Sequence, residues 1–305
     1  MQFRKYHGLG NDYLVIEPET VEATLSEAAI RDICDRHCGV GSDGILFGPL
    51  PDTPEAFPDP ASSAEALPEF AVRIFNPDGS EAEKSGNGLR IFARHLHDTG
   101  RVSPAQAFLV RTLGGPARAV VEDPRTRIRV QMGRIRFDSD LVPVAGPSRE
   151  VIDEPYEVGG ETFRACAATV GNPHCILLVD DPTEELARRI GPLIETDERF
   201  PRRTNVQFMT VRDTHSIRIE IWERGAGYTL ASGSSASACA AAACRLGLCG
   251  SPVTVYMPGG ELEITLDSDL NAELVGPVAC ICKGTLCSEH PALSPGPGTA
   301  SAPSI

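Results

Sequence analysis

Two short polar segments combine residue types that suit the binding of a small anion. The first is Ser85-Gly86-Asn87-Gly88, and the second, Ser232-Gly233-Ser234-Ser235, lies 147 residues later, counted from 85 to 232. A helix N-terminus presents free backbone N–H groups and the positive end of the helix dipole. If each segment opens a helix, each can hold a carboxylate.

The elements around these segments must place them at helix starts. Alternating residues predict strands before them, and apolar residues predict helices after them. The predicted strands cover 72–75 and 216–222, and the predicted helices cover 89–98 and 238–246. Asn76 and Glu223 end these strands, each nine positions before Ser85 or Ser232. Both segments therefore have the same local order of strand, polar residue, Ser-Gly and helix.

A second repeated feature is a Gly-Asn turn followed by an apolar strand. Gly10-Asn11 precedes one such strand at 13–16, and Gly171-Asn172 precedes another at 175–179. Because the order of elements is the same in both halves, a duplicated domain is the economical explanation. Two domains related by pseudo-symmetry would place their helix N-termini across a cleft, with Ser85 and Ser232 on opposite faces.

Domain boundaries follow from this repeat. We predict a first domain over 1–121, to which 278–287 returns, and a second over 122–277. The stretch 51–68 is rich in Pro, Asp, Ala and Ser without periodicity, and we predict an exposed loop that is either a lid or simply solvated. Residues 288–305 have the composition of a disordered tail.

Composition bounds the class of protein and of partner. The 305 residues are 41% hydrophobic and 23% charged, which is typical of a soluble globular protein. No apolar run is long enough to span a bilayer and the N-terminus has no signal-peptide core, so we expect a cytoplasmic location. The net charge of −14 argues against nucleic acid and anionic membranes as partners.

The ten cysteines show no spacing typical of a metal site. Cys239, Cys244 and Cys280 lie in apolar runs, where we expect buried, inert thiols. No P-loop, dinucleotide fingerprint or ligand-spaced Cys/His set is present, so we expect no metal, nucleotide or pyridoxal phosphate. Lys84 beside Ser85 could lower a neighbouring pKa, although an exposed lysine on a turn is the commoner case.

Five motifs of the chain belong together. They are His7-Gly8-Leu9-Gly10-Asn11-Asp12, Phe75-Asn76-Pro77-Asp78-Gly79-Ser80-Glu81, Gly86-Asn87-Gly88, Gly171-Asn172-Pro173-His174 and Glu223-Arg224-Gly225-Ala226-Gly227. With these motifs the sequence resembles the diaminopimelate epimerase family of cofactor-independent amino-acid epimerases. The resemblance, which extends to about residue 286, implies an α/β (α+β) fold of two pseudo-symmetric domains. Each would be a β-sheet or barrel wrapped around a central helix, with the active site between them. It also implies an amino-acid substrate, the isomerase reaction of lysine biosynthesis, and a possible homodimer.

The resemblance also implies functions for individual residues. Substrate contacts would come from Asn11, Asn76, Asn172, Asn205, Glu223 and Arg224, and carboxylate binding from the backbone of Gly86, Asn87, Gly233 and Ser234. His174 and Glu223 would flank the reacting carbon, and Arg224 would suit the distal carboxylate of a diamino-diacid. The remaining catalytic positions are Ser85 and Ser232, one on each side of the α-carbon.

These two positions depart from the pattern, because the resembling family uses two cysteines there as acid and base. A thiol at a helix N-terminus gives an accessible thiolate, whereas a serine hydroxyl is a weak base without an activating group. Three explanations are open. The serines are an engineered pair that traps substrate, or they act in a natural isomerase on a related substrate with help from Glu83, His174 or Glu223, or the chain binds an amino acid without epimerising it.

Overall fold

The computed structural model describes residues 1–21, 25–50, 67–287, 289–290 and 292. The described residues form a mixed α/β structure of four α-helices and eighteen strands. The helices are α1 (Glu27–Cys34), α2 (Gly86–Asp98), α3 (Glu184–Glu195) and α4 (Gly233–Arg245). The predicted loop at 51–68 and the predicted tail lie outside the described residues, except for 67–68, 289–290 and 292.

Nine strands, eight of them from the first part of the chain, surround α2. They are β1 (Gln2–Gly8), β2 (Asn11–Ile16), β3 (Ile45–Leu50), β4 (Glu69–Phe75), β5 (Glu81–Ala82), β6 (Ala107–Thr112), β7 (Gly115–Asp123), β8 (Arg127–Arg134) and, from the end of the chain, β18 (Ala279–Thr285). The pairs β2–β3 and β4–β6 are parallel, whereas β18–β1, β1–β2, β3–β4, β4–β5, β6–β7 and β7–β8 are antiparallel.

The other nine strands repeat this arrangement around α4. They are β9 (Glu154–Val158), β10 (Glu161–Thr169), β11 (Pro173–Leu178), β12 (Asn205–Asp213), β13 (Ser216–Glu223), β14 (Gly227–Thr229), β15 (Val253–Met257), β16 (Gly260–Leu266) and β17 (Asn271–Gly276). The parallel pairs β11–β12 and β13–β15 match β2–β3 and β4–β6. The antiparallel pairs also match, with β9 beside β10 in the place that β18 takes beside β1.

The two sheets are joined where β8 pairs with β17. The helices α2 and α4 contact each other and each contacts the strands of its own half. The largest hydrophobic cluster accordingly includes Phe92 and Leu96 of α2 together with Cys239 and Ala240 of α4. The predicted two-part α/β fold with a central helix in each part is confirmed, and the domain boundaries at 121 and 277 stay predictions.

The helix starts differ slightly from those predicted, for a local physical reason. Ser85 and Ser232 are extended and each accepts a hydrogen bond from the third residue of its helix. Such an N-cap satisfies a donor that the helix leaves free, so the helix can begin immediately after serine despite the glycines. The glycine-rich segments are therefore the first turns of α2 and α4.

The cysteines and the membrane prediction can be checked directly. All ten cysteines are free, and Cys239 is buried and Cys244 half-buried. The prediction of a buried Cys280 is wrong, because Cys280 is exposed on β18, which pairs with β1 alone among the strands that the structure describes. None of the helices in the described ranges is long and apolar enough to cross a membrane.

Candidate active site

A cavity of about 730 Å³ lies where the first turns of α2 and α4 meet. Ten of the predicted site residues line it: Asn11, Asn76, Ser85, Gly86, Asn87, Asn172, Glu223, Ser232, Gly233 and Ser234. A second cavity, of about 720 Å³, lies beside β1, β18 and the end of α2, and none of the predicted site residues lines it. The first cavity is therefore the candidate site.

The two serines that face this cavity have nearly the same backbone conformation. Ser85 has φ −139° and ψ 120°, and Ser232 has φ −144° and ψ 125°. The Oγ of Ser85 accepts from the N–H of Gly88 at 3.0 Å, and that of Ser232 accepts from Ser235 at 3.4 Å. The repeat in the sequence is therefore a repeat in three dimensions, down to the capping contact.

The helix N-termini approach each other closely at two glycines. A Cβ atom at Gly86 would lie 3.3 Å from the Cα of Gly233, and one at Gly233 would lie 3.2 Å from the Cα of Gly86. Both positions are buried. These distances are tighter than ordinary van der Waals contact, so the glycines let two positive dipole ends converge closely on one volume.

The geometry leaves backbone donors for an anion in each helix. The N–H groups of Gly88 and Leu89 are bonded to Ser85, and those of Ser235 and Ala236 to Ser232. The N–H groups before them have no acceptor available within the helix. These groups belong to Gly86 and Asn87 in α2 and to Gly233 and Ser234 in α4, the four residues predicted to bind a carboxylate.

Buried amides connect the cavity wall to a buried cation. Asn87 donates to Asn11 Oδ1 at 3.0 Å and to the carbonyl of Ala231 at 3.3 Å, and Asn11 donates to Asp43 at 3.0 Å. Arg90, which is 0% exposed, donates to Asn87 Oδ1 at 2.8 Å. Because each amide has a defined donor and acceptor partner, the Asn87 side chain is held in one orientation.

The environment of Ser232 is acidic. Glu223 is half-buried beside it, and Thr229 donates to Glu223 Oε2 at 3.2 Å. Burial raises the pKa of Glu223, against the opposing effect of hydrogen bonds from the Ser232 and Thr229 hydroxyls. Ser234 Oγ lies 3.4 Å from Ser232 Oγ and also accepts from Asn172. A carboxylate with a raised pKa next to a hydroxyl is a suitable proton acceptor.

The environment of Ser85 carries no carboxylate partner of this kind within the described part of the chain. The hydroxyl of Tyr13 lies 3.3 Å from Ser85 Oγ, and burial raises the pKa of Tyr13 to about 12. Lys84 is half-buried rather than exposed, and burial lowers the pKa of its ammonium to about 8. Its Nζ donates to the carbonyl of Met132 at 2.8 Å.

A charged cluster completes the wall near Asn11. Arg36 Nη2 lies 2.7 Å from Asp12 and 2.6 Å from Asp43. Burial and the neighbouring Asp12 raise the pKa of Asp43. Burial opposes ionisation of Asp12 too, but hydrogen bonds from Arg36 and Lys5 hold its pKa below the usual range. The described residues include no group of three or more His, Cys, Asp or Glu side chains placed to hold a metal ion.

Comparison with known proteins identifies the family to which this site belongs. The model of the family described as "Diaminopimelate epimerase" matches residues 3–137 and 166–281. The chain belongs to the diaminopimelate epimerase family. It is 50% identical over 289 residues to diaminopimelate epimerase 2 of Nostoc, covering 95% of this chain and 96% of that protein. It is 39% identical to diaminopimelate epimerase of Moorella thermoacetica, covering 93% and 98% of the two chains.

Solved structures support the same fold at low sequence identity. A protein described as a predicted epimerase from Pseudomonas aeruginosa is 18% identical, with a TM-score of 0.64, over 93% of this chain and 98% of its own. A hydroxyproline epimerase from Agrobacterium vitis is 15% identical, with a TM-score of 0.64, over 93% and 90%. These likenesses concern the fold alone.

Three residues that the family resemblance assigned to the site do not line the cavity. His174 is 0% exposed, its Nε2 lies 3.0 Å from Asn172 Oδ1, and burial lowers its pKa to about 3. Asn205 is buried and accepts from the backbone N–H of Arg224 at 3.0 Å. Arg224 itself is exposed and donates to the carbonyl of Arg202. These residues support the wall or flank it.

Several cavity residues were missed by reasoning from the family motifs. Tyr13, Arg36, Asp43 and Tyr228 line the cavity although no motif assigned them a function. The available signal for Tyr13 was its place two residues after Asn11, the same spacing that separates His174 from Asn172. Lys84 also lines the cavity, so the expectation of an exposed lysine was wrong.

Proposed function

We propose that this protein is a cofactor-independent amino-acid epimerase or racemase that moves the α-proton between two opposed serines. The observation that carries the proposal is the pair of Ser-capped helix N-termini that meet at Gly86 and Gly233. Ser85 and Ser232 both line the cavity at this junction. This arrangement suits a planar intermediate approached from both faces.

The α-carboxylate of the substrate would accept hydrogen bonds from the free N–H groups of both helices. Removing the α-proton spreads negative charge onto that carboxylate. Preorganised N–H donors and two dipole ends stabilise such developing charge without reorganisation, which is the largest contribution in many enzymes. The four donor residues are Gly86, Asn87, Gly233 and Ser234.

On the Ser232 face, Glu223 is the base. In the step we propose, the α-proton passes to Ser232 Oγ while the Ser232 hydroxyl proton passes to the Glu223 carboxylate, so the serine ends unchanged. The carbon then takes a proton on its other face from the Ser85 side. Because a carboxylate is a weaker base than a thiolate, we expect slower turnover than a thiol pair would support.

Diaminopimelate is the first substrate to test, since the most similar relatives cited carry that name. Arg224 is exposed and directly precedes Gly225 and Ala226, which line the cavity, and its guanidinium suits a second carboxylate. A homodimer and a location in the cytoplasm belong to the same proposal, and the negative net charge favours a small-molecule substrate over nucleic acid.

A second candidate is a protein that binds an amino acid without turnover. One observation favours it: both serine hydroxyls are engaged as N-caps, accepting from Gly88 and Ser235. A cap of this kind stabilises its helix whether or not any proton is moved. Under this reading the cavity and its N–H donors are retained, and Glu223 only contacts the substrate.

One measurement separates the candidates. The protein is incubated in D₂O with each stereoisomer of diaminopimelate and with single-carboxylate amino acids, and α-proton exchange and inversion are followed by NMR and chiral chromatography. Exchange with inversion supports the epimerase. Saturable binding by calorimetry with no exchange supports the binding protein and sinks the catalytic proposal.

A double variant tests the substrate. In Ser85→Cys with Ser232→Cys, the thiols take over at unchanged backbone positions. We expect epimerisation of diaminopimelate to rise by at least tenfold over the starting protein, because each thiol is a far stronger acid than a hydroxyl. If diaminopimelate binds neither protein, the substrate assignment is wrong while the reaction class is still open to other amino acids.

A further inference from the structure

The two serines have different partners, and this difference bears on the direction of proton transfer. Tyr13 OH lies 3.3 Å from Ser85 Oγ, whereas Glu223 stands beside Ser232. We infer that Tyr13 is the proton source for Ser85, so that the Ser85 face of the site donates a proton and the Ser232 face removes one. The inference rests on the proposed function, and it assigns the proton donor on the Ser85 side, which that function does not name.

The Tyr13 side chain is positioned by the residues that pack around it. It is 7% exposed and pairs with Tyr6 across β1 and β2. A Cβ atom at Gly44 would lie 2.7 Å from Tyr13 Cε1, so glycine at this position leaves room for the ring. The ring thereby spans from the strand to the cavity and presents its hydroxyl to Ser85.

The charges around Tyr13 keep it protonated. Burial is the main cause of its raised pKa, and the carboxylates of Glu223, Asp43 and Asp12 add to it, while the Ser85 hydroxyl opposes it. A neutral phenol at neutral pH is a donor and not a base. Lys84, the residue before Ser85 in the chain, donates a hydrogen bond to the carbonyl of Met132.

The repeat provides an internal comparison. Tyr13 and His174 both stand two residues after the asparagine of a Gly-Asn turn. His174 is engaged with Asn172 and is buried as the neutral imidazole, because burial lowers its pKa to about 3. The corresponding position in the second half therefore offers no charged acid, and its base comes from another strand, at Glu223.

The step balances in protons. Ser85 gives its hydroxyl proton to the planar carbon as Tyr13 gives its phenolic proton to Ser85 Oγ, and the α-proton meanwhile reaches Glu223 through Ser232. The site ends with Glu223 protonated and Tyr13 ionised. Exchange with water restores the starting state, so no other co-reactant is needed.

The test is Tyr13→Phe, assayed in D₂O with each substrate stereoisomer separately. The isomer whose α-proton faces Ser232 should still lose that proton to solvent, at a rate within about threefold of the starting protein. Inversion should fall by about 10² to 10⁴-fold, the usual contribution of a general acid. Exchange without inversion is a signature that a merely structural change would not give.

Two further variants make the outcome decisive. Ser85→Ala should show the same exchange without inversion, and Tyr13→Phe with Ser85→Ala should lose no more than either alone, because both lie on one path. Tyr6→Phe removes a buried hydroxyl that lies near Asp98 instead, and should leave both rates unchanged.

Contrary results fall into two classes that can be told apart. If the starting protein exchanges and inverts but Tyr13→Phe lowers both rates in proportion, or neither, the inference is overturned and the proposed function stands. If the starting protein exchanges no amino acid that it binds, the proposed function fails, and the inference fails with it.

Discussion

The two halves of the chain have the same strand order but different helices at their centres. In α2 the interior includes Arg90 and His95, which are 0% and 1% exposed. In α4 the buried residues after the first turn are almost all alanine, with Cys239 among them. Both helices bury ten residues, so the difference lies in the space around them: the surroundings of α2 accommodate a guanidinium and an imidazole, and those of α4 accommodate small side chains.

The same contrast appears at the cavity. The capping serines, the glycines after them and the Gly-Asn turns match in the two halves, whereas Asn76 corresponds to Glu223 and Tyr13 to His174. The matched features shape the two helix starts and leave free backbone N–H groups at the cavity. At the unmatched positions an amide stands against a carboxyl group, and a phenol stands against an imidazole. The two halves therefore agree in backbone geometry and differ in the side-chain groups that they carry.

The largest expected effect comes from replacing the carboxylate of Glu223 by an amide, since the corresponding residue of the first half, Asn76, is an amide. Glu223→Gln should lower the rate of α-proton loss on the Ser232 face by about 10² to 10⁴-fold, because the proton acceptor is gone. Deuterium incorporation measures it. Glu220→Gln is the matched control, since Glu220 is a partly buried carboxylate of the same strand bonded to Tyr228. Equal losses in the two variants would mean that Glu223 has no special function.

The buried histidines should make both halves lose stability in acid. Burial lowers the pKa of His95 to about 4 and that of His174 to about 3. Below pH 6.5 these histidines bind protons in the unfolded chain but stay neutral in the folded chain. Their contribution to the free energy of unfolding is therefore fully present above that pH and is lost as pH falls towards 4. At pH 4.5 we expect a loss of about 2 to 3 kcal/mol per histidine.

Urea unfolding at pH 7 and pH 4.5 tests this expectation. His95→Gln should remove the contribution of His95 to the pH dependence, so that the free energy of unfolding changes less with pH, even if the variant is less stable at pH 7. His215→Gln is the control, because it makes the same substitution at a histidine that is exposed. An unchanged pH dependence in His95→Gln would show that its imidazole does not resist protonation in the folded state.

A smaller effect should follow from Arg90, because the corresponding residue of the second half is uncharged. Arg90 lies one turn into α2, and Ser237 occupies the corresponding position in α4, where it donates to the carbonyl of Gly233 at 2.8 Å. Arg90→Met should weaken amino-acid binding about tenfold, because a positive charge near the carboxylate is lost. Ser237→Ala should cost about 1 kcal/mol of stability and leave affinity unchanged.

Calorimetric titration checks the affinity, and urea unfolding confirms that Arg90→Met is folded. Undiminished affinity in Arg90→Met would mean that the helix ends alone hold the carboxylate.

A small effect on stability, compared with a large effect on exchange, separates a cap from a reacting group. Thr183 caps α3 outside the cavity as Ser232 caps α4, each accepting from an N–H of the first turn. Alanine at either position should lower the free energy of unfolding by about 1 kcal/mol. Only Ser232→Ala should also abolish α-proton exchange. If exchange persists in Ser232→Ala, the serine is a cap and nothing more.

Much of the fold could be read from local patterns. Ser26 with Ala29, Ile30 and Ile33 at helical spacing predicts a capped helix with these three residues on one face, and in the structure Ser26 caps α1 and all three are buried. The short strands β5 and β14 were missed, because two or three residues carry no readable period. The exposure of Cys280 was also missed, since an apolar sequence does not reveal that its strand pairs with a single one of the described strands.

The candidate site was predictable as far as the repeat and the family motifs extended. Asn11, Ser85, Asn172, Glu223 and Ser232 do meet at one cavity. Tyr13 was not predicted, because its relevance depends on a contact with a residue 72 positions away. The burial of His174 behind Asn172 was equally invisible, because a strand residue after a turn can face either the cavity or the core.

The amino-acid sequence alone determined that each of the two helices would begin with a capping serine followed by a conformationally free glycine, since capping and backbone freedom are local properties. It also determined the duplication and the family. Only the tertiary structure decided that Gly86 and Gly233 touch, that Tyr13 reaches Ser85, and that Glu223 lies at Ser232. The first contact joins the two halves, which β8 and β17 also connect, the second spans 72 positions within the first half, and the third lies within the second half. Each depends on how separate elements pack together, which local sequence patterns do not set.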